Sequence, residues 1–600
     1  MPINHLKEDE IIQSKLNRVV IGRLIAYLRP YRVQVLQTLF LMGIVIAADL
    51  LNPYFLKLAI DQYIKAKDIQ GLLLLGGGMA AVKVVSLFCA RGRIRIMAGV
   101  TNRILLTIRQ QLYEHIQKLS LSFFDSRPIG KILARIIGDV NSLNDLFANS
   151  VTSLIPNLAT IAAVTAIMIS MNWRLALAAL ITLPFLMGFM ATIQVFSHRR
   201  WLIHRQKTST TNAFTHENFS GIRVVQSFGA ESKMSAGFRE LLRANMQSFI
   251  RAVRLNDLFW PSVELSWGVG TVAVFWYGVH LLNTGEITIG LLVAFSGYIS
   301  MFWQPVMEIS NFYNTLISNM SGAERIFEIL DLPPAIANAP DAKVLPPLRG
   351  EVMFRDVSFG YEADQAVLQQ INFRVEPGET IALVGPTGAG KTSIINLITR
   401  FYESREGAVL IDGHNVNEVT LESLRGQMGI VLQDTFLFSG SIKDNIRYGR
   451  LNATDEEIVA AARAVHAHEF IMKLEQGYDT HVNERGSRLS FGQRQQIAFA
   501  RALLAAPRIL ILDEATAGID TQTERLVQKG IEQLLAGRTA FVIAHRLSTI
   551  VNADRIMVID QGRIAEMGTH RELMEKQGIY YHLFQVQYRF LNETAQEAVG

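Results

Sequence analysis

Cysteine is nearly missing from this chain. Cys89 stands alone among 600 residues, so no disulfide framework can form within it. Charge is scarce as well: Asp, Glu, Lys and Arg supply 18% of the residues, below the ~25% of an ordinary soluble domain. The net charge of +5 is small for this length and does not read as a nucleic-acid protein. Intrinsic disorder is excluded, because disorder needs low hydrophobicity and high charge, whereas half of these residues are apolar. Yet 18% is too much charge for a bare membrane bundle. A membrane part joined to a soluble part fits both figures, and the length allows roughly four domain-sized units.

Long apolar runs are abundant, and all lie before about residue 320. Six approach the ~20 residues that a hydrocarbon core demands. They cover residues 34–56, 71–90, 148–171, 175–196, 258–282 and 287–307. Asn172-Trp173-Arg174 separates the third and fourth, and Asn283-Thr284-Gly285-Glu286 the fifth and sixth, so each pair is expected to form a hairpin. The two long connections, about 55–60 residues each, are rich in arginine and read as helical. The positive-inside rule places them and both termini in the cytoplasm, with the membrane helices continuing beyond the bilayer. Residues 17–29 combine an apolar and a basic face, as a helix lying on the inner membrane surface would. Lys7-Glu8-Asp9-Glu10 argues against a transit peptide, and no cleavable signal is expected before the first span. Residues 331–350 hold five prolines and read as a linker, after which short strands and helices are expected. The domain reading is therefore a membrane domain over 1–330, the linker 331–350, a soluble domain over 351–585 and a tail over 586–600.

The soluble half carries a phosphate cradle. The buried-strand run Thr380-Ile381-Ala382-Leu383-Val384 leads into Gly385-Pro386-Thr387-Gly388-Ala389-Gly390-Lys391-Thr392-Ser393, and an apolar helix start follows at Ile394. This is G-x-x-x-x-G-K-[ST] in its strand–loop–helix context. Glycines let backbone N–H groups face phosphate oxygens, and the helix N-terminus adds a favourable dipole. Lys391 is expected on the β- and γ-phosphates and Thr392 on Mg²⁺. A second acidic site closes the apolar run Ile509–Leu512: Asp513 would hold Mg²⁺ and Glu514 would polarise the attacking water. No other metal-ligand cluster is evident.

Between these motifs, Leu489-Ser490-Phe491-Gly492-Gln493 resembles the signature of ATP-binding-cassette (ABC) ATPases, usually Leu-Ser-Gly-Gly-Gln. The resemblance covers essentially the whole chain, six spans and then one cassette, and is to exporter-type half-transporters such as bacterial multidrug and lipid exporters. It implies an all-α transmembrane bundle fused to an α/β P-loop ATPase domain with a helical subdomain, in the inner (plasma) membrane with the cassette in the cytoplasm. By resemblance, Tyr361 looks like the adenine-stacking aromatic, Asp520 the D-loop aspartate and His545 the switch histidine on the γ-phosphate. Gln433 looks like the Q-loop glutamine, which senses the nucleotide, faces the membrane domain and would join Glu514 and His545 in catalysis and Thr392 and Asp513 on Mg²⁺. Ser490, Gly492 and Gln493 would face the partner's ATP. Glu484-Arg485-Gly486-Ser487 is similar to the exporter segment before the signature. Leu121–Asp125 with Pro128-Ile129-Gly130, and Glu217–Ile222 with Val225–Phe228, resemble the two coupling regions, although ordinary helix packing would give the same pattern.

Two departures stand out. Phe491 replaces the first glycine of the signature, while Ser490 and Gly492, the expected direct contacts, remain. Ala517-Gly518 stands where the family usually has Ser-Ala. The implied activity is ATP-driven export of amphipathic compounds, lipids or peptides by alternating access, with ATP and Mg²⁺ as cofactors. A second copy or a sister chain is implied, since ATP in the family sits between one P-loop and the partner's signature. An importer on the same fold and a regulatory or channel-like protein are the alternatives. A soluble ABC ATPase for nucleic acid conflicts with the six spans, and no N-terminal peptidase domain is expected ahead of the first. Within or near the spans, Asp49, Lys83, Glu264 and Glu308 are candidate substrate contacts, Asp49 and Glu264 foremost; Lys83 reads equally as one half of an inter-helix salt bridge, and Glu308 as already near the cytoplasmic end. Phe295, Tyr298, Phe302 and Trp303, spaced along one helix, could line a drug site, although lipid contact or packing is the commoner use of such a stripe. Cys89 is expected to be buried.

Overall fold

The computed structural model describes residues 18–362, 364–433, 435–483, 486, 488–513, 521–543 and 547–586. The chain forms two compact units: residues 1–117 with 129–332, and residues 118–128 with 333–600.

The first unit is helical. Among the described residues, six segments are long and apolar enough to cross a membrane: Arg18–Ile64, Ile69–Lys118, Ile129–Met171, Trp173–Met190, Glu231–Asn283 and Ile289–Ile309. The continuous helices Ile69–Lys118 (50 residues) and Ile289–Asp331 (43 residues) far exceed the ~20 residues needed to span, so each extends well outside the hydrocarbon layer. Both hairpin links are capped locally. Asn172 Oδ1 accepts from the N–H groups of Arg174 and Leu175, and Arg174 pairs with Glu286 of the other link at 3.2 Å. Asp61 closes the start of the last helix, accepting from Thr288 Oγ1 at 2.5 Å and from the Gly290 N–H at 2.9 Å. Helix Arg18–Leu28 spends part of its basic face on packing: Arg23 reaches Asp331 at 2.6 Å and lies 4.1 Å from the Phe327 ring centroid.

The second unit is a layered α/β domain. Its strands are β1 (Val352–Phe359), β2 (Leu368–Val375), β3 (Thr380–Val384), β4 (Glu406–Ile411), β5 (His414–Asn415), β6 (Met428–Val431), β7 (Gly440–Ser441), β8 (His481–Val482), β9 (Ile509–Asp513), β10 (Thr539–Ile543), β11 (Arg555–Asp560) and β12 (Arg563–Gly568). The principal sheet runs β12-β11-β3-β10-β9-β6, parallel except for β12 at its edge. Its inner strands are apolar on both faces because both are covered. Ala382, Val384, Leu510, Leu512, Ala540 and Val542 face one core; Ile381, Leu383, Ile509, Ile511, Phe541 and Ile543 face the other. The proline-rich residues 333–350 are stitched to this unit rather than free of it. Leu345 and Leu348 are buried in the second core, and Lys343 bridges Val419.

Candidate nucleotide site

Parallel pairing gathers the key strand ends at one edge. Leu383 of β3 lies beside Ile543 of β10, Ile543 beside Asp513 of β9, and Leu512 beside Val431 of β6. The P-loop leaves β3 at this edge, and the chain toward Gln433 leaves β6 there. Carboxyl ends of parallel strands are where open α/β sheets bind ligands. Glu514, Asp520 and His545 lie outside the described residues, as do Glu484, Arg485, Ser487, Ala517 and Gly518.

The P-loop turns tightly enough to require glycine. A Cβ on Gly385 would sit 2.1 Å from the Ile559 carbonyl oxygen. Gly390 takes φ +110° at the N-cap of helix Lys391–Ile398, where a Cβ would lie 2.6 Å from Leu368 Cδ2. Lys391 folds back over the loop, its Nζ donating to the carbonyls of Gly385 at 2.7 Å and Pro386 at 2.9 Å. Burial lowers the Lys391 pKa, and the Asp513 charge acts against that shift. An ammonium held by two neutral carbonyls is ready to exchange them for anionic phosphate oxygens. Pro386, Thr387 and Gly388 form the exposed rim of the loop, whereas Ala389 is buried beneath it. Thr392 is exposed, as a metal-facing hydroxyl would have to be, whereas Ser393 is buried and its Oγ lies 3.1 Å from the Tyr361 hydroxyl. The Tyr361 ring is half exposed beside the P-loop helix, and Asn396 Nδ2 donates to its hydroxyl at 3.2 Å. Gln433 is exposed just beyond β6.

The signature opens helix Phe491–Leu504. Ser490 is its N-cap in a reciprocal capping box: Ser490 Oγ accepts from the Gln493 N–H, and Gln493 Oε1 accepts from the Ser490 N–H at 2.9 Å. As an acceptor in the cap, the Ser490 hydroxyl still has its proton to donate. Gly492 is buried at the helix start. Phe491 is half-buried, with the Arg494 guanidinium 5.8 Å from its ring centroid and Arg494 Nη1 donating to Leu489 O at 2.8 Å. Ile497, Phe499 and Ala500 of this helix join the first core, whereas Ile394, Ile395, Leu397 and Ile398 of the P-loop helix join the second. The two elements therefore pack on opposite faces of one sheet.

In the membrane unit, Asp49 is paired with Lys83 at 2.7 Å, and Glu308 accepts from the buried Asn157 at 2.8 Å. Glu264 lies in an open, mostly apolar groove of about 520 Å³ with Leu265, Gly268, Val269 and Val272. The aromatic stripe is core: Phe295, Tyr298, Phe302 and Trp303 are buried, and the Tyr298 hydroxyl donates to Leu50 O at 2.9 Å. Cys89 is half-exposed rather than buried, its lone position on a helix face giving no sign of this.

One residue of this neighbourhood escaped the sequence reading. Tyr402 sets its ring edge-on to Tyr361, centroids 5.0 Å apart, and its hydroxyl donates to Asp125 Oδ2 at 2.6 Å. Those partners are distant in sequence, and no motif joins them.

Two family descriptions match the chain: "ABC transporter transmembrane region" over residues 35–306 and "ABC transporter" over residues 368–517. It is 43% identical to the uncharacterized ABC transporter ATP-binding protein YknV of Bacillus subtilis, across 97% of each chain. It is 37% identical to an ATP-dependent lipid A-core flippase of Syntrophus aciditrophicus, across 97% of this chain and 96% of the flippase. A solved bacterial Atm1-family ABC exporter with ATP bound superposes with a TM-score of 0.80 at 30% identity, covering 93% of this chain and 98% of that one. With six spans ahead of one nucleotide-binding domain, the chain belongs to the ABC transporter family, as a multi-pass half-transporter of the exporter type whose cytoplasmic cassette couples ATP hydrolysis to transport.

Proposed function

We propose that the chain exports or flips amphipathic compounds or lipids as a dimer, by alternating access. The observation that carries the dimer is the placement of the P-loop and signature helices on opposite faces of one sheet. A nucleotide lying on the P-loop of one chain is then best closed over by the signature of a second. The name of the Syntrophus relative, a lipid A-core flippase, supports an amphiphile as cargo.

In this reading Tyr361 stacks on adenine, and the P-loop N–H groups and Lys391 take the phosphates. Thr392, Asp513 and Gln433 would hold Mg²⁺, which offsets phosphate charge when bound; the exposed hydroxyl and the strand-end carboxylate suit a hard, oxygen-seeking cation. Glu514 accepts a proton from the attacking water, and His545 contacts the γ-phosphate. Asp520 communicates between the two sites. Ser490, Gly492 and Gln493 of the partner donate to the γ-phosphate from a helix N-terminus. ATP favours the closed dimer only because these contacts exist there and not in the open one. Hydrolysis removes them and resets the transporter.

The test is ATP hydrolysis by this chain alone in lipid nanodiscs, with Glu514→Gln as control. Turnover lost by about 10²-fold or more in the variant supports a self-sufficient homodimer with Glu514 as base. Normal turnover by the variant overturns that role. A folded, ATP-binding parent without turnover replaces the homodimer with a heterodimer.

A further inference from the structure

We propose that Tyr402 is a positioning residue linking occupancy of the base platform at Tyr361 to the segment Lys118–Pro128 through Asp125. The inference rests on the reading of Tyr361 as the adenine platform.

Three observations carry it. First, the contacts are continuous. The Tyr402 ring meets both Phe359 and Tyr361 edge-on, and its hydroxyl donates to the Asp125 carboxylate at 2.6 Å, the length of a charge-assisted O–H···O⁻ bond. Second, Tyr402 stands on a loop that cannot easily yield. Arg400 before it adopts φ +51°, and its guanidinium is buried against Val419 O, Ala337 O and Glu403. Arg425 donates to the carbonyls of Thr399 and Arg400 and lies 4.9 Å from the Phe401 ring centroid. Asn396 ties the two tyrosines together: its carbonyl accepts from the N–H groups of Phe401 and Tyr402, while its side chain donates to the Tyr361 hydroxyl. Third, the far end is itself anchored. Residues 118–128 belong to the cassette unit, Phe123 is buried, and Arg127 lies 4.6 Å from its ring centroid. This segment is joined at each end to chain of the membrane unit.

A base arriving on Tyr361 lands on a ring already in contact with Tyr402. Because the loop beneath Tyr402 is pinned, a shift of Tyr361 is passed to the hydroxyl–carboxylate bond rather than absorbed by backbone movement. The relay thus reports the base, whereas Lys391 and the P-loop report the phosphates. A contiguous path of packed rings and hydrogen bonds becomes a coupling route only if breaking one link uncouples its ends.

The experiment uses the full chain in nanodiscs with Cys89→Ser and a spin label at Leu121→Cys, which is exposed on the segment. The parent label should change its spectrum with AMP-PNP but not with inorganic tripolyphosphate, which lacks a base. Tyr402→Phe keeps the ring and removes the hydroxyl. It should abolish the AMP-PNP response while the Kd for MANT-ATP stays within about twofold of the parent. Asp125→Ala should do the same, and the double variant should be no worse than either single one, as for two ends of one link. A parental response in both single variants overturns the relay, as does a full response to tripolyphosphate. Tyr361→Ala tests the underlying reading separately. It should lose MANT-ATP affinity, and unchanged affinity removes the platform, and the relay with it, whatever the label does.

Discussion

Arg325 grips Asp139 with a two-point fork: Nε donates to Oδ2 at 2.8 Å and Nη2 to Oδ1 at 2.6 Å. Asp139 is largely buried and the pair joins helices far apart in sequence within the membrane unit. Asp139→Ala leaves a partly buried guanidinium without this carboxylate. It should cost about 2–3 kcal/mol, seen as a fall of several degrees in the unfolding temperature of the solubilised protein. Arg325→Lys should be milder yet measurable, since an ammonium cannot reproduce the fork.

In the proposed site Lys391 would leave the Gly385 and Pro386 carbonyls, to which it now donates, to meet phosphate. Lys391→Met cannot make that exchange. Its kcat/KM for ATP should fall by about 10²-fold or more, with the unfolding temperature nearly unchanged. Parental kcat/KM would remove Lys391 from the phosphate site.

Ser490 has a structural task as the N-cap of its helix and a proposed one at the partner's γ-phosphate, and two substitutions separate them. Ser490→Asp keeps a good N-cap, so the cassette should stay as stable as the parent. It also turns a carboxylate toward an incoming γ-phosphate, so ATPase activity should fall by about 10²-fold or more. Ser490→Ala should cost about 1 kcal/mol of stability through the lost cap. An active Ser490→Asp chain would remove the signature serine from the phosphate.

Three further capping boxes, Ser441 with Asp444, Thr454 with Glu457 and Thr569 with Glu572, predict acid sensitivity of the cassette. The carboxyls of Asp444, Glu457 and Glu572 are held below their usual pKa, Asp444 chiefly by the Ser441 hydroxyl, Glu457 by the Thr454 N–H and Glu572 by the Thr569 N–H. Each is depressed in the folded state, so its contribution is complete above the unfolded value of about 4 and fades as pH falls through the folded one. Glu457→Gln with Glu572→Gln should flatten the loss of unfolding temperature below about pH 4. An unchanged slope would show that other groups set it.

Legibility in the sequence followed the range of the interactions. Six spans were readable because a bilayer imposes one length and one composition on each run. The P-loop was readable because strand, turn and helix follow within a few residues, and the glycines answer local needs of the backbone. The stripe from Phe295 to Trp303 was ambiguous for a physical reason: a helical face that lines a cavity and one that packs have the same period, and the structure makes it core. Residues 333–350 look like a linker by proline content, yet Leu345 and Leu348 fill an apolar space that only the folded cassette creates. Tyr402 and Asp125 are 277 positions apart. Nothing periodic joins them, and only the fold brings hydroxyl to carboxylate.

The two-faced sheet also has a genetic consequence. If each working ATP site draws one face from each of two identical chains, a damaged copy spoils every pair it enters. Where half the chains are defective and pairing is random, only about a quarter of the pairs keep both partners sound. An allele damaged at Lys391 or Ser490 should then be dominant over the intact one, reducing transport below the half that simple dosage would give.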